Sequence, residues 1–297
     1  MTKKFKISFI AILISIITIL IIIIFLKQDD LKSTNLNLNE KVTASYGIEI
    51  KSLKYDGDDN ITAEITYTNG PKDCEVGIII LVNGISQPYY TDEHKEESYL
   101  IPYNLAKDTN LTIKLNFKPI LGKQNEELFI EFGSMLNPSF ISSKSYGNNH
   151  KVFFLEPYTI ICKNSNNNNF SFYEDFTMEH ISTKEEIHNN NFNIVVLQNN
   201  KEVNKINIKN NMLQFSINLY GEEKEYILSA YINHKIVPLF SGYYYAKIKT
   251  TKENISSILI DFDISDLSLN SYDNFYIIAV PTRKGERAYK LGTIVLE

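Results

Sequence analysis

The sequence predicts an all-β protein behind an N-terminal transmembrane helix, its mass divided between two tandem immunoglobulin-like β-sandwich domains. Three observations carry that expectation. Ile7 to Leu26 is an unbroken apolar run of twenty residues. The segments beyond it alternate apolar and polar residues with period two, and no helical period interrupts them. The order of those segments then recurs about 150 residues later.

At about 1.5 Å per residue, twenty helical residues match a hydrocarbon core of about 30 Å. Eleven of them are Ile, a weak helix former in water, yet in lipid the backbone must satisfy its own hydrogen bonds and a helix is the only single-segment solution. Lys3, Lys4 and Lys6 precede the run, whereas Lys27 is followed by Gln28, Asp29 and Asp30. Residues 1–6 are therefore expected in the cytoplasm and everything after Leu26 outside, as a single-pass protein of the cell membrane. A cleaved signal peptide would have a shorter apolar region, about 7–15 residues, and small residues at an A-x-A-like cleavage site; FLKQDDLKS has no such site. Ser8, Ala11, Ser15 and Thr18 fall on one face of the helix and offer a place for weak helix–helix association.

Residues 27–42 are polar with scattered Leu and read as a tether. The first sandwich is expected over 43–163. In it Ile61, Ala63, Ile65 and Tyr67 alternate with Thr62, Glu64, Thr66 and Thr68, as do Leu111, Ile113, Leu115 and Phe117 with their polar neighbours. Cys74 to Val82, CEVGIIILV, is too continuously apolar to be half-exposed and too short to span a membrane, which suits a buried central strand. The Asn-rich run 164–170 opens a linker over 164–190, within which 172–188 reads equally as a short helix or an ordered crossing.

The second sandwich is expected over 191–297. A shift of 150 residues lays Ala63, Ile65 and Tyr67 on Leu213, Phe215 and Ile217, and Asn83 on Asn233. A shift of 147 then lays Leu111, Ile113, Leu115 and Phe117 on Ile258, Ile260, Phe262 and Ile264, and Leu128, Phe129 and Ile130 on Phe275, Tyr276 and Ile277. The in-out pattern survives both shifts, which favours structural duplication.

Beyond residue 30 there remain 26 basic against 33 acidic residues, and Arg283 and Arg287 are the only arginines. That balance excludes nucleic acid as a partner, since phosphate recognition leans on clustered Arg and Lys. The common catalytic and phosphate-binding motifs are absent from the sequence, so a non-catalytic role without cofactor is expected. Thr159-Ile160-Ile161-Cys162, with His94 upstream, superficially resembles the Thr-x-x-Cys strand and His of sortases. That resemblance implies a Cys transpeptidase, but the Arg such a site needs shortly after the Cys is missing.

Asp56-Gly57-Asp58-Asp59-Asn60 spaces oxygen ligands as a calcium loop would, yet Ile61 stands where Gly is required, and a hairpin turn fits better. Asp261, Asp263 and Asp266 read as the wet side of a strand, His180 and His188 lack metal-site spacing, and the other histidines are solitary in sequence; no metal site is expected. Cys74 and Cys162 are the only cysteines and form a candidate disulfide outside the membrane. Tyr89, Tyr90, Tyr243, Tyr244 and Tyr245 occupy corresponding parts of the two halves and are the candidate binding residues. The expected role is a membrane-anchored binding or structural module of a bacterial cell envelope that meets a protein or cell-wall partner, with a subunit of an envelope or secretion complex as the alternative.

Overall fold

The computed structural model describes residues 46–56, 60–141, 150–165, 170–180, 192–267, 269, 272–283 and 285–297. The expected membrane span, its Ser8–Thr18 face and the tether lie outside the described residues. Among those residues no helix is long and apolar enough to cross a membrane, and all the regular elements are strands.

The first half contains β1 (Tyr46–Tyr55), β2 (Ile61–Asn69), β3 (Cys74–Val82), β4 (Ile85–Gln87), β5 (Tyr90–Thr91), β6 (Pro102–Leu105), β7 (Asn110–Phe117), β8 (Glu127–Leu136), β9 (Val152–Phe154) and β10 (Tyr158–Ile161). The second contains β11 (Thr177–His180), β12 (Asn193–Gln198), β13 (Lys201–Glu202), β14 (Lys205–Ile206), β15 (Met212–Tyr220), β16 (Lys224–Ile232), β17 (Lys235–Val237), β18 (Tyr245–Thr250), β19 (Asn254–Asp263), β20 (Asp273–Pro281), β21 (Tyr289–Lys290) and β22 (Ile294–Leu296). They form four sheets: β1-β2-β7-β5 and β10-β8-β3-β4 in the first half, β11-β19-β15-β12-β13 and β14-β22-β20-β16-β17 in the second.

Each half is sandwich-like, two sheets closing on one apolar core. In the first half the alternating face of β2 (Ile61, Ala63, Ile65, Tyr67) meets Val76, Ile78, Ile80 and Val82 of β3. In the second, Leu213, Phe215 and Ile217 of β15 meet Tyr226, Leu228, Ala230 and Ile232 of β16. The strands pair equivalently: Ile65 opposes Ile113 as Phe215 opposes Ile260. Val82 opposes Ile130 as Ile232 opposes Phe275. The second equivalence corrects the sequence alignment, which set Leu128 on Phe275. The slip is two residues, and in a strand two residues return to the same face, so the pattern alone could not detect it.

Both halves turn β3→β4 and β16→β17 on the same device. Asn83 (φ 48°) and Gly84 (φ 81°) are matched by Asn233 (φ 48°) and His234 (φ 65°), the left-handed pair of a two-residue hairpin. The Asn83 N–H donates to Phe129 O at 2.9 Å, and its Oδ1 accepts from Phe129 N at 2.8 Å. The Asn233 N–H donates to Asn274 O at 3.0 Å, and its Oδ1 accepts from Asn274 N at 3.1 Å. Each Asn clamps the neighbouring strand.

The continuous apolar run of β3 is explained by burial on both faces. Ile79 and Leu81 point away from the first core into a layer shared with Leu100, Met135 and Phe154 on one side and Tyr231, Tyr276, Ile278 and Val280 on the other. The outer faces of the two central sheets are thereby welded together. A smaller cluster of Ile85, Ile227 and Tyr245 extends the weld. Of the expected linker, residues 170–180 run extended: Tyr173 bridges to Ala246, and β11 pairs with the edge of β19, Thr177 opposite Ser257.

Candidate functional site

Two of the five candidate tyrosines are core residues. Tyr89 is wholly buried; its hydroxyl donates to Ile78 O at 3.0 Å and accepts from Ile101 N at 3.0 Å. Burial drives its pKa up. Tyr245 is also buried and packs its ring 5.8 Å from that of Phe170. Both side chains face inward in this structure. Tyr90 is half-buried on β5, opposite Asn116. Tyr243 and Tyr244 do reach solvent, 41% and 49% exposed, with the Tyr173 ring 6.3 Å from Tyr243. The aromatic surface is thus smaller than the sequence suggested.

The expected disulfide is corrected: Cys74 and Cys162 are both thiols. Cys74 opens β3 two residues before Val76, which opposes Leu136, whereas Cys162 follows Ile161, which opposes Glu127 at the other end of β8. Nine residues of strand at about 3.3 Å each put them about 30 Å apart, against the ~6 Å between Cα atoms that a bridge requires. The Cys74 thiol contacts Asn69 Oδ1 at 3.6 Å. That of Cys162 is buried and donates to Asn164 O at 2.8 Å.

The same geometry separates the sortase-like pair. His94 packs its ring 5.9 Å from Tyr103, and Tyr103 opposes Val76 at the far end of the sheet from Cys162. His94 and Cys162 therefore do not form the base–thiol pair that such a nucleophile needs.

Asp56 makes the hairpin that the sequence preferred: its Oδ1 accepts from Asn60 N and its Oδ2 from Asn60 Nδ2, both at 3.1 Å. Residues 57–59 lie outside the described residues. Asp261 accepts from Gln214 Nε2 at 3.1 Å, and Asp263 accepts from Ser265 N at 2.8 Å and Ser265 Oγ at 2.6 Å. Among the described residues no group of three or more His, Cys, Asp or Glu is placed to hold a metal ion; His188 lies outside them.

What sequence reasoning missed is a buried polar group at the weld. His150 and His234, solitary in sequence, stand with ring centroids 5.7 Å apart. Because Pro138 O can only accept, His234 Nε2 donates to it at 2.8 Å, leaving Nδ1 to accept from Tyr276 OH at 3.2 Å. Lys290 lies over the Tyr276 ring, 4.6 Å from its centroid, and donates to Leu291 O at 3.0 Å and Thr293 Oγ1 at 2.9 Å. Burial lowers Lys290 to about 7. His150 falls to about 3, chiefly through burial and then through His234 and Lys290. Glu131, on β8 opposite Leu81, is raised to about 7 by burial. Arg287 closes the rim of the weld on Glu156. The one available signal was Glu131, a lone charge in the middle of the otherwise apolar LFIEFG.

No protein-family model matches the chain, and no curated protein matches its sequence. Solved structures with some likeness include red sea bream transglutaminase, at 8% identity over 90% of this chain and 33% of that one, with a TM-score of 0.23. Another is the CsuC–CsuE chaperone–tip adhesion subunit pre-assembly complex of Acinetobacter baumannii, at 9% identity over 77% of this chain and 90% of that one, with a TM-score of 0.19. The chain spans a third of the transglutaminase. Likeness of this order carries no argument about activity.

Proposed function

We propose that this chain is a non-catalytic, membrane-anchored binding or structural module of a bacterial cell envelope, its two immunoglobulin-like sandwiches held outside the membrane by residues 7–26. The observation that carries the reading is where the chemistry-bearing side chains have gone. Cys162 and Tyr89 are committed to the first core, Tyr245 packs where the halves meet, and the acids Asp261 and Asp263 hold neighbouring polar groups. What remains for a partner is surface, with Tyr243 and Tyr244 among its exposed aromatic residues. Two sheets over one core in each half, antiparallel apart from the β14–β22 pair, support the immunoglobulin-like description. The welded outer faces support a rigid body that presents that surface at fixed geometry.

Protease added to wall-stripped cells should remove residues 31–297 as a protected core fragment; full resistance in intact spheroplasts would reverse the orientation. Affinity purification from native membranes should recover a protein or wall-polymer partner, and Tyr244→Ala should weaken its recovery. Copurification in fixed stoichiometry with other membrane proteins would favour the envelope-complex subunit.

A further inference from the structure

A cleft of about 230 Å³ opens where the two halves meet. The first half lines it with Glu126, Glu127 and Glu131, the second with Ile227, Val280 and Glu286. Its carboxylates are unequally committed. Glu126 accepts from Lys123 N at 2.8 Å, and Glu286 is paired with Lys224 at 2.8 Å and lies 3.8 Å from Arg283. Glu127 stands at the exposed rim.

Glu131 is different. It is 5% exposed. Its carboxylate accepts from Ala288 N, while Oε2 is buried without a hydrogen-bond partner among the described residues. Burying a carboxylate is costly unless donors or a cation face it, and among the described residues no side chain is placed to donate to this oxygen. The cleft beside it is closed on the other side by hydrocarbon from Ile227 and Val280.

We propose that this cleft binds a primary alkylammonium group, the ammonium donating to Glu131 Oε2 and its carbon stem lying against Ile227 and Val280. One available oxygen suits a point-charge ammonium; a guanidinium would require both carboxylate oxygens for its fork, and Ala288 already occupies one side. A divalent cation would need a set of oxygen ligands, and the described residues of the cleft do not bring one together. Among the described residues at the cleft, Glu126, Glu127 and Glu286 outnumber Arg283 and Lys224, a balance that favours positive charge. The site is distinct from the Tyr243–Tyr244 surface and independent of membrane anchoring, so its test stands whichever way the topology experiment falls.

The full-length chain in detergent is titrated with n-butylammonium chloride, with a capped Gly-Lys-Gly peptide and with n-butanol, following the methyl signals of Ile227 and Val280 by NMR. Saturable shifts with butylammonium at pH 8 are expected, about tenfold weaker at pH 6, where Glu131 is protonated. Tighter binding of the peptide would identify the source of the amine as a protein lysine; tighter binding of butylammonium, a free amine. Glu131→Gln keeps the shape and removes the buried charge, and should weaken binding at least tenfold and abolish its pH dependence. Glu127→Gln at the rim should change it less than about twofold. Equal binding of n-butanol, or butylammonium binding that is independent of pH in the wild-type chain, would overturn the proposal even if the Glu131 variant did not fold.

Discussion

The inward faces of the two halves match, and their outward faces do not. Where the first half turns Ile65, Val82 and Ile130 into its core, the second turns Phe215, Ile232 and Phe275 into its own. Across the weld the equivalent residues diverge: Leu81 faces where Tyr231 does, Glu131 where Tyr276 does, and Phe154, opposite Gly133, stands where Lys290 stands opposite Ile278. The difference follows from what each face must satisfy. A core closed by its own strands demands an apolar body at each position and a placed partner for each buried hydroxyl, as at Tyr89. A face closed by another half needs only complementarity, so an aromatic stack such as Tyr231 on Tyr276, centroids 4.9 Å apart, can be met by the aliphatic Leu81.

The largest effects should separate core from weld. Phe215→Ala empties the second core and should cost about 3–5 kcal/mol. Ile278→Ala, in the shared layer, should cost about 2–4 kcal/mol. Because the shared layer couples the halves, both variants should shift a single cooperative transition in calorimetry. Two transitions, with the first half unmoved by Phe215→Ala, would mean that the weld contributes little and that the halves are energetically separate.

The pH response should come next, and it distinguishes the two sides of the weld. The folded state holds His150 and His234 below their ordinary range, so between pH 6.5 and about 3 the unfolded chain binds more protons and stability falls with falling pH. With His150 lowered to about 3, the loss from this residue should reach about 2 kcal/mol by pH 5, before most carboxylates titrate. The groups facing the pair are Lys290, Glu75 and the Tyr276 hydroxyl. Glu131 acts oppositely: raised to about 7 in the fold, it favours the folded chain at low pH and loses that contribution as pH climbs from about 4.5 through 7. Urea unfolding of His150→Asn should show a flatter profile between pH 6.5 and 5, and Glu131→Gln a flatter one from pH 5 to 7.5. Unchanged profiles would show that the weld opens before these groups titrate.

The smallest effect is expected at the rim. Arg287 and Glu156 are 56% and 72% exposed, so Arg287→Ala should cost less than about 0.5 kcal/mol, and less still in high salt. A loss above about 1 kcal/mol would mean that the rim pair orders the weld.

Much of the fold was legible because strand patterning reports which face is buried. Ile61 to Tyr67 and the run CEVGIIILV both disclosed their strands, and Asn83 disclosed its counterpart Asn233. The pattern does not say what buries a face. Ile79 and Leu81 are as apolar as Ile78 and Ile80, although one pair meets the other half and the other pair meets its own core. Tyr89 misled for a related reason, since its side chain suits an exposed platform or a core with a placed hydroxyl partner, and only the positions of Ile78 and Ile101 decide. His150 and His234 meet solely because the halves do.

The pairing of β14 with β22 sets a schedule for folding. Lys205 lies beside Val295 and Ile206 beside Leu296, in parallel, and β22 is in turn held antiparallel to β20, Phe275 opposite Ile294. A strand near the start of the second half thus waits for one about ninety residues downstream before its sheet can close. The loop entropy of that closure falls due before its contacts form, so the second half should reach its native sheet in milliseconds to seconds. Until then Val295 and Leu296, fully buried at the end, are exposed hydrocarbon on an unpaired strand, which makes this interval the one in which the chain is most open to capture by a chaperone or by another copy of itself.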